Sequence, residues 1–501
     1  MPPPSPASPP RATGLAREMG LLGLLATGIC AMIGAAINII PFTIQRNVPG
    51  IGPWVLLTFA AAAVPAVLAG FAYAILASAM PRAGGSYVFA SRGASPYIGF
   101  VASFSQWFGI CIAIGVVSYV LPPFLRDTAV AAGWSGVASA LESRTVRLTV
   151  ALVFLWTAVI INMRGIRTYQ RIVVPLMFLT IVLGGTVIVA GFMYSHADFA
   201  AALLAREGRA LPAMASPPFS LSTFLPAAAL LFSSFIGFDS IAQAGGEARN
   251  PARNLPLSIG LAVAIVGVFY MLFTAAVYHA VPWEYVAEQA LKHDVTAPGL
   301  LGILLPPAAT VVMVSGASVA LAKDLPPMLL GVSRLMFAWA EDGIFPAAIA
   351  RVDSARHTPN VAIVASAGMA TVGILGSHFA GDIFLGIDIL LTSMLVNFLL
   401  MCITVVTLPV RNLGLARDIR VLPNRGMQLT VAWGGIVLLG ALLALQAWKD
   451  LTATVDAWYF RSILVWLAVM AVGTVIYLRE TAALRKAGVD LDARFSTLPP
   501  E

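Results

Sequence analysis

The chain has 501 residues, of which 59% are apolar and only 11% are charged, and its mean hydropathy is +0.88. These values exclude an ordinary water-soluble globular protein. Apolar runs of about 20 residues recur along the whole length, a pattern that is typical of membrane helices. The net charge of +7 does not indicate a nucleic-acid partner, because the arginines lie mainly at the ends of the apolar runs. Cys30, Cys111 and Cys402 all fall inside apolar runs, so we expect no disulfide framework.

Twelve apolar runs are long enough to cross a bilayer. They lie at about 19–44, 52–80, 97–125, 145–162, 172–194, 221–246, 256–280, 304–339, 359–377, 383–409, 428–447 and 459–479. We expect residues 1–18 to form a disordered cytoplasmic tail and residues 481–501 to form a second cytoplasmic tail. Roughly twice as many basic residues flank the spans on the N-terminal side as on the other side. The pattern predicts two cytoplasmic termini, in what we expect to be a bacterial cytoplasmic membrane.

Spans 1 and 6 carry a similar defect at a similar depth. Gly34 weakens span 1 about 15 residues from its start, and Gly237 weakens span 6 about 16 residues from its start. Five spans separate the two positions along the chain, so the two helices run in opposite directions. Paired interrupted helices in inverted halves indicate a transporter with a binding site at mid-membrane. The alternative is that these glycines only allow close packing of helices.

A break in span 1 predicts a site for a ligand with both charges. Unwinding there frees four consecutive backbone N–H groups, those of Gly34, Ala35, Ala36 and Ile37. The half-helix that begins at this point directs its positive end at the gap, which suits a carboxylate. The carbonyl groups that end the preceding half-helix suit an ammonium group. An amino acid presents both groups about 3–4 Å apart, so the break predicts an amino acid ligand.

The matching stretch of span 6 reads Phe235-Ile236-Gly237-Phe238-Asp239. The two phenylalanine rings either close over a ligand or pack against neighbouring helices. A carboxylate at this depth costs about 3 kcal/mol on insertion scales and is therefore a functional candidate. Three roles stay open for Asp239: it binds a substrate amine, carries a proton, or braces the broken helix by accepting backbone N–H bonds.

Span 8 places Lys323 and Asp324 deep in the membrane, and Lys323 is one of only four lysines in the chain. Neighbouring residues on a helix point about 100° apart, so these two side chains need not pair. We therefore consider Asp239 and Asp388 as partners of Lys323. Desolvation disfavours a buried ammonium group, so Lys323 is also a candidate proton carrier. Two alternatives are a static ion pair and a fixed ammonium group at a place where other transporters hold Na⁺.

Several motifs are absent from the sequence. There is no GxxxxGK[ST] motif, which argues against an ATP-hydrolysing site within this chain. There is no His or Cys cluster with metal-ligand spacing and no HExxH or GxSxG motif. We therefore expect no enzyme activity, no cofactor, no metal site and no nucleic-acid partner. H⁺ and Na⁺ remain the candidate coupling ions.

Four motifs occur in a fixed order between about residues 15 and 480. They are Ile33-Gly34-Ala35-Ala36-Ile37, Pro81-Arg-Ala-Gly-Gly-Ser-Tyr87, Phe235-Ile-Gly-Phe-Asp239 followed by Glu247-Ala-Arg-Asn-Pro251-Ala-Arg-Asn-Leu-Pro256, and Ser333-Arg334 with Ala340-Glu-Asp-Gly-Ile-Phe-Pro346. Because these motifs occur in this order, the chain resembles the amino acid–polyamine–organocation superfamily, and specifically its amino acid permease family.

The resemblance implies an all-α polytopic membrane protein with the leucine-transporter fold. That fold has five plus five spans in an inverted repeat, here about 19–194 and 221–409 within a core of 19–409, and two more spans within 410–480. It implies alternating access around spans 1 and 6. The family's substrate carboxylate would lie on Gly34, Ala35 and Ala36. Its substrate amine would lie on backbone carbonyls near Ile33 and Phe235, Ile236 and Gly237.

The sequence departs from the family pattern at three positions. Ala36 stands where the family has a second glycine in the break, and Asn38 stands where it has a phenylalanine. Many proton-coupled members have a lysine in span 5, and the aligned residue here is Thr180. Three explanations stay open. Lys323 or Asp239 takes the coupling role of that lysine, coupling is to Na⁺ instead of H⁺, or the protein only exchanges substrates.

We expect an amino acid permease that works by alternating access. One alternative within transport is a carrier of organic amines or polyamines, in which Asp239 and Asp324 bind additional ammonium groups. Another is an obligate amino acid exchanger. The alternative function outside transport is that of a membrane sensor or of a subunit that needs a partner. An oligomer or an accessory subunit is left open.

Overall fold

The structure is a computed structural model that describes residues 14–293, 295–380, 384–455 and 457–499. Within these residues twelve helical segments are long and apolar enough to cross a membrane. They are Leu21–Asn47, Gly52–Ala79, Pro96–Ala131, Arg144–Met163, Ile166–Met193, Leu221–Gln243, Pro251–Ala280, Ala308–Glu341, Asn360–Phe379, Leu385–Arg411, Arg425–Thr452 and Ser462–Lys486, here spans 1 to 12. The predicted all-helical architecture with twelve spans is therefore confirmed.

Shorter helices lie between the spans and after span 12. They are Gly85–Gly93, Ser135–Glu142, His196–Glu207, Trp283–Lys292, Ala297–Leu301, Leu413–Arg417 and Leu491–Ser496. Span 12 ends at Lys486 rather than near residue 479, and the largest difference at a predicted start is at span 5, which begins at Ile166 rather than near residue 172. Gly165 explains this start, because its φ of +94° is accessible to glycine and allows the chain to turn sharply into the helix.

Two spans are interrupted at the glycines that the sequence indicates. Span 1 consists of the helices Leu21–Met32 and Ala35–Asn47, with Ile33 and Gly34 outside helical geometry. Span 6 ends its first helix at Phe232, passes through one 3₁₀ turn and resumes at Asp239. Gly237 lies in that gap with φ +136°, a conformation that side-chain-bearing residues rarely adopt.

Span 8 has a third interruption, which the sequence analysis did not predict. Its helices are Pro307–Ala322 and Leu325–Glu341, and Lys323 and Asp324 form the turn between them. Pro326 and Pro327 follow directly and lack the N–H groups that would continue the hydrogen-bond ladder. The peptide N–H of Asp324 bonds instead to the carbonyl of Leu321, as in a tightened turn.

Twelve crossings bring both ends of the membrane region to the same side, which we call the terminal face. Buried ion pairs close this face. Arg334 donates both to Oε1 of Glu247 at 2.5 Å and to its Oε2 at 3.2 Å. Arg92 holds the two carboxylate oxygens of Asp342 at 2.6 and 2.9 Å.

Segments next to both termini are packed onto the terminal face. The predicted disordered tail lies outside the described residues up to residue 13, while Glu18 pairs with Arg167 at 2.6 Å. At the other end, Arg92 donates through Nε to the carbonyl of Thr497 at 3.2 Å. The ring of Phe495 lies 4.9 Å from the same guanidinium group. Residues 491–499 are therefore part of the folded protein.

Candidate substrate site between the broken spans

The breaks in spans 1 and 6 touch each other. A Cβ atom at Gly237 would lie 2.6 Å from the carbonyl oxygen of Ala31 and 2.9 Å from the nitrogen of Met32. Only glycine allows this approach, because Cβ atoms essentially never come so close to backbone. The carbonyl of Met32 accepts a hydrogen bond from the hydroxyl of Tyr270 in span 7. The two unwound segments thus form one continuous site.

The ammonium group of Lys323 lies at the end of the first half of span 1. It donates to the carbonyl of Cys30 at 3.0 Å and to the carbonyl of Ile33, and Asp324 Oδ1 is 3.1 Å away. The predicted pairing of Lys323 with Asp239 or Asp388 is wrong. Both residues keep right-handed helical dihedrals, and the long, flexible side chain of Lys323 nevertheless reaches the adjacent aspartate.

The carboxylate of Asp324 lies at the start of the second half of span 1. A Cβ atom built on Gly34 would have the three carboxylate atoms of Asp324 as its nearest neighbours. It would overlap with Oδ2 of Asp324. Gly34 immediately precedes the helix Ala35–Asn47, whose first N–H groups have no partner within the helix. A carboxylate from the protein itself therefore packs against Gly34 at the break, while the N–H of Gly34 bonds to the carbonyl of Met32 at 3.0 Å.

Asp239 makes the contacts expected of a brace. Its Oδ1 accepts the backbone N–H of Gly237 at 3.1 Å, and its Oδ2 accepts from Nε2 of Gln106 at 2.5 Å. Gln106 Oε1 in turn accepts from Ser86 and Gln243, which joins span 6 to span 3 and to the helix Gly85–Gly93. The amine-binding and proton-carrying roles of Asp239 stay hypotheses.

A cavity of about 110 Å³ lies between the two breaks, and we call it the central cavity. Its lining includes Gly34, Ala36, Ser234, Ile236, Gly237, Asp239 and Asp324. Ser234 is 1% exposed, and within the described residues its hydroxyl has no hydrogen-bond partner. A buried hydroxyl without a partner costs about 1–3 kcal/mol, which a bound ligand would recover.

Phe235 and Phe238 pack against other aromatic rings. Phe235 lies edge-on to Phe59 with ring centroids 5.5 Å apart, and Phe238 stacks on Phe398 at 5.0 Å. Both phenylalanines are buried, and neither is among the described residues that line the central cavity. Of the two interpretations made from sequence, packing is the one that the structure shows.

Three other predicted residues line a separate cavity of about 20 Å³ on the far side of span 1. They are Ile33, Asn38 and Thr180. Asn38 donates to the carbonyl of Gly34 at 3.4 Å, and Thr180 donates to the carbonyl of Leu176 in its own helix. The side chain of Ala35 lies outside the part of the chain that the structure describes. The coupling role of Thr180 stays a hypothesis.

Sequence reasoning did not identify Ser234, Gln106 or Tyr270 as parts of the site. All three carry polar groups that are buried at membrane depth, which is the signal that marked Asp239. Their positions relative to the breaks depend on which spans pack together, and no short motif carries that information.

One further cavity adjoins the central one, and a second adjoins the first. An apolar cavity of about 140 Å³ shares Ala36, Ala113 and Leu390 with it. A vestibule of about 520 Å³ shares Ile39 and Val120 with the apolar cavity. The lining of the vestibule includes Arg126, Asp127, Arg147 and Gln289, which lie on the side opposite the terminal face. Shared lining residues thus connect the central cavity, through the apolar cavity, with a vestibule on the side opposite the terminal face.

Comparisons with known proteins identify the family to which the chain is similar. A model of the family described as "Amino acid permease" matches residues 19–469. The vacuolar cationic amino acid transporter 4 of Arabidopsis thaliana is 27% identical over 73% of this chain and 58% of that protein. A branched-chain amino acid permease of Bacillus subtilis is 27% identical over 70% of this chain and 72% of its own. A methylthioribose transporter of the same organism is 23% identical over 75% of this chain and 77% of its own.

Proposed function

The chain belongs to the amino acid permease family, and from this premise we propose that it is a secondary transporter of a small amino acid or a related amine. One observation carries the proposal: the central cavity lies between two broken spans, and the adjoining described cavities extend from it toward the side opposite the terminal face. Transport then requires a second state in which spans 1 and 6 open the cavity toward the terminal face. The protein thereby works by alternating access, with ligand binding favouring closure.

The relatives differ in the substrates that their names give, which are cationic amino acids, branched-chain amino acids and methylthioribose. We therefore argue the substrate class from the site. The chain also spans less than two thirds of the length of the Arabidopsis relative. The site itself offers buried carboxylates, a free hydroxyl and exposed backbone at the breaks. These groups support a small ligand that carries an amine.

We propose that the resident ammonium group of Lys323 takes the place of a coupling cation. It already occupies the carbonyls of Cys30 and Ile33, which would otherwise be suited to Na⁺. Coupling is then to H⁺, or the protein exchanges substrates. We place the terminal face in the cytoplasm, because the greater number of arginines and lysines lies there, and we place the protein in a bacterial cytoplasmic membrane.

The competing functions are a membrane sensor and a subunit that needs a partner. Uptake by the purified chain in liposomes separates them from transport, since only a self-sufficient transporter accumulates or exchanges a labelled solute. Gly34→Leu should abolish this uptake, because any side chain at residue 34 collides with Asp324. Gly136→Leu is the matched control, since a Cβ there meets nothing within 4 Å. Normal uptake by Gly34→Leu in a folded protein would remove the break from the proposal.

A further inference from the structure

The apolar cavity beside the central cavity is formed by spans 1, 3, 6, 8 and 10. Its described side chains are aliphatic apart from one serine. They include Ile40 of span 1, Val116 of span 3, Leu321 of span 8 and Ile387 of span 10. The serine, Ser233 of span 6, donates its hydroxyl to a backbone carbonyl one turn earlier at 2.6 Å. The described lining therefore offers no charged group to a ligand.

On the basis of the proposed transport function, we propose that the substrate is a neutral amino acid with an aliphatic or aromatic side chain, such as leucine or phenylalanine. Its amino and carboxylate groups lie in the central cavity between the two breaks, and its side chain lies in the apolar cavity. The residues that select this side chain are those of the apolar cavity, Val116 and Ile387 among them. The inference narrows the substrate class of the proposed transporter and assigns a use to the second cavity.

One substrate molecule can occupy both cavities, because the cavities share part of their walls. Five described residues line both, and three of these carry small side chains, namely Ala36, Ala113 and Ser233. Ala36 is the second residue of the helix that follows the break in span 1. A ligand whose main-chain groups are held at the break therefore has the apolar cavity directly beside it, with small side chains at the junction.

The volume of the apolar cavity sets the size of the side chain. An engineered apolar cavity of about 150 Å³ in another protein binds benzene. The cavity here has about 140 Å³, so the side chains of leucine, methionine and phenylalanine are of the right size. Each methylene group that leaves water for such a place strengthens binding by up to about fourfold. Glycine and alanine would leave the cavity unfilled and would forgo this gain.

The same lining disfavours charged side chains. The two carboxylates near the breaks, Asp239 and Asp324, line the central cavity and are not in the described lining of the apolar one. Asp239 accepts hydrogen bonds from Gly237 and Gln106. Asp324 is paired with Lys323. A lysine or arginine side chain that extends into the apolar cavity would lose its hydration without gaining a carboxylate. The expected substrates thus differ from the cationic amino acids for which the Arabidopsis relative is named.

A series of amino acids that differ only in the side chain tests this inference on the full-length purified protein. The series is alanine, 2-aminobutyrate, norvaline and norleucine, and lysine is norleucine with an ammonium group at its end. Binding is measured by titration calorimetry in detergent, and transport by uptake into liposomes. We expect affinity to rise by about two- to fourfold with each methylene group up to norleucine. We expect lysine to bind at least about a hundredfold more weakly than norleucine.

Substitutions at Val116 test the position of the side chain, because Val116 lines the apolar cavity and not the central one. Val116→Phe fills the cavity and should weaken norleucine about tenfold or more, while alanine changes by less than about twofold. Val116→Asp should raise the affinity for lysine relative to norleucine about tenfold, whereas Val116→Asn, which adds polarity without charge, should not. Val472→Phe, on the exposed side of span 12, is the matched control and should leave the affinities unchanged.

The outcomes separate this inference from the proposed function. Equal affinities along the series, or lysine bound as tightly as norleucine, would overturn the role of the apolar cavity while transport stands. An equal loss of alanine and norleucine in Val116→Phe would show that the cavity is only a path from the vestibule, which also overturns the inference. The series on the unmodified protein decides even where a variant fails to fold. If no amino acid binds or is transported, the proposed function itself fails.

Discussion

Replacing both members of the Lys323–Asp324 pair tests how the broken spans are held together. Lys323→Met and Asp324→Asn keep nearly the shape of each side chain and remove its charge. Lys323 is 1% exposed and Asp324 is 4% exposed, so neither remaining partner is reached by much water. The double variant leaves no buried charge at this place.

The expected magnitudes follow from what each variant leaves unpaired. Lys323→Met strands a buried carboxylate and takes the donor from two carbonyls, a type of change that costs about 3–5 kcal/mol. Asp324→Asn leaves the ammonium group on those carbonyls, so we expect a smaller cost of about 1–3 kcal/mol. The double variant should cost about 2 kcal/mol less than the sum of the two, because the stranded charge is absent.

The measurement is reversible unfolding of the four proteins in mixed detergent micelles, from which the interaction energy of the double-mutant cycle is obtained. Additivity within about 0.5 kcal/mol would refute the pairing. Salt composition gives a second readout. Lys323→Met vacates two carbonyls, so this variant alone should become more stable in Na⁺ than in choline, and equal behaviour of wild type and variant would contradict the proposed role of the ammonium group.

Three further variants test other contacts. Arg334→Lys should lower the free energy of unfolding by about 3 kcal/mol and weaken closure of the terminal face, because lysine cannot hold both oxygens of Glu247. An unchanged free energy of unfolding would contradict this. Asp239→Asn should cost about 1–3 kcal/mol, and an equal loss of binding for all ligands, measured by thermal shift, would indicate bracing alone. Gly84→Ala should cost about 1–3 kcal/mol, since φ is +78° and the methyl group would overlap with Ala338; the melting temperature checks it.

The sequence allowed a good prediction of the membrane spans and of two breaks. Hydropathy depends on composition within a window of about 20 residues, so twelve spans could be found without knowledge of the fold. Gly34 and Gly237 could be singled out because glycine and the nearby polar residues weaken a helix wherever it packs. Their contact with each other depends on how spans 1 and 6 pack, and it became visible only in the structure.

Side-chain partners could not be predicted in the same way. The helical angle of about 100° does not favour a pair of adjacent residues, but the long side chain of Lys323 reaches Asp324 although both residues keep helical dihedrals. Pro326 and Pro327 interrupt span 8 just after Lys323 and Asp324, and hydropathy does not detect such an interruption. Phe235 and Phe238 show the same limit, since an aromatic ring beside a break packs or binds according to neighbours from distant spans.

The C-terminal segment also affects the order in which the protein can be completed. Residues 491–499 are translated after all twelve spans, yet Arg92, between spans 2 and 3, contacts both Phe495 and Thr497. During synthesis, the charge cluster around Arg92 therefore stays incomplete until residues 491–499 have left the ribosome. A message cut short after span 12 would yield a protein with every membrane crossing in place and its terminal face still unfinished.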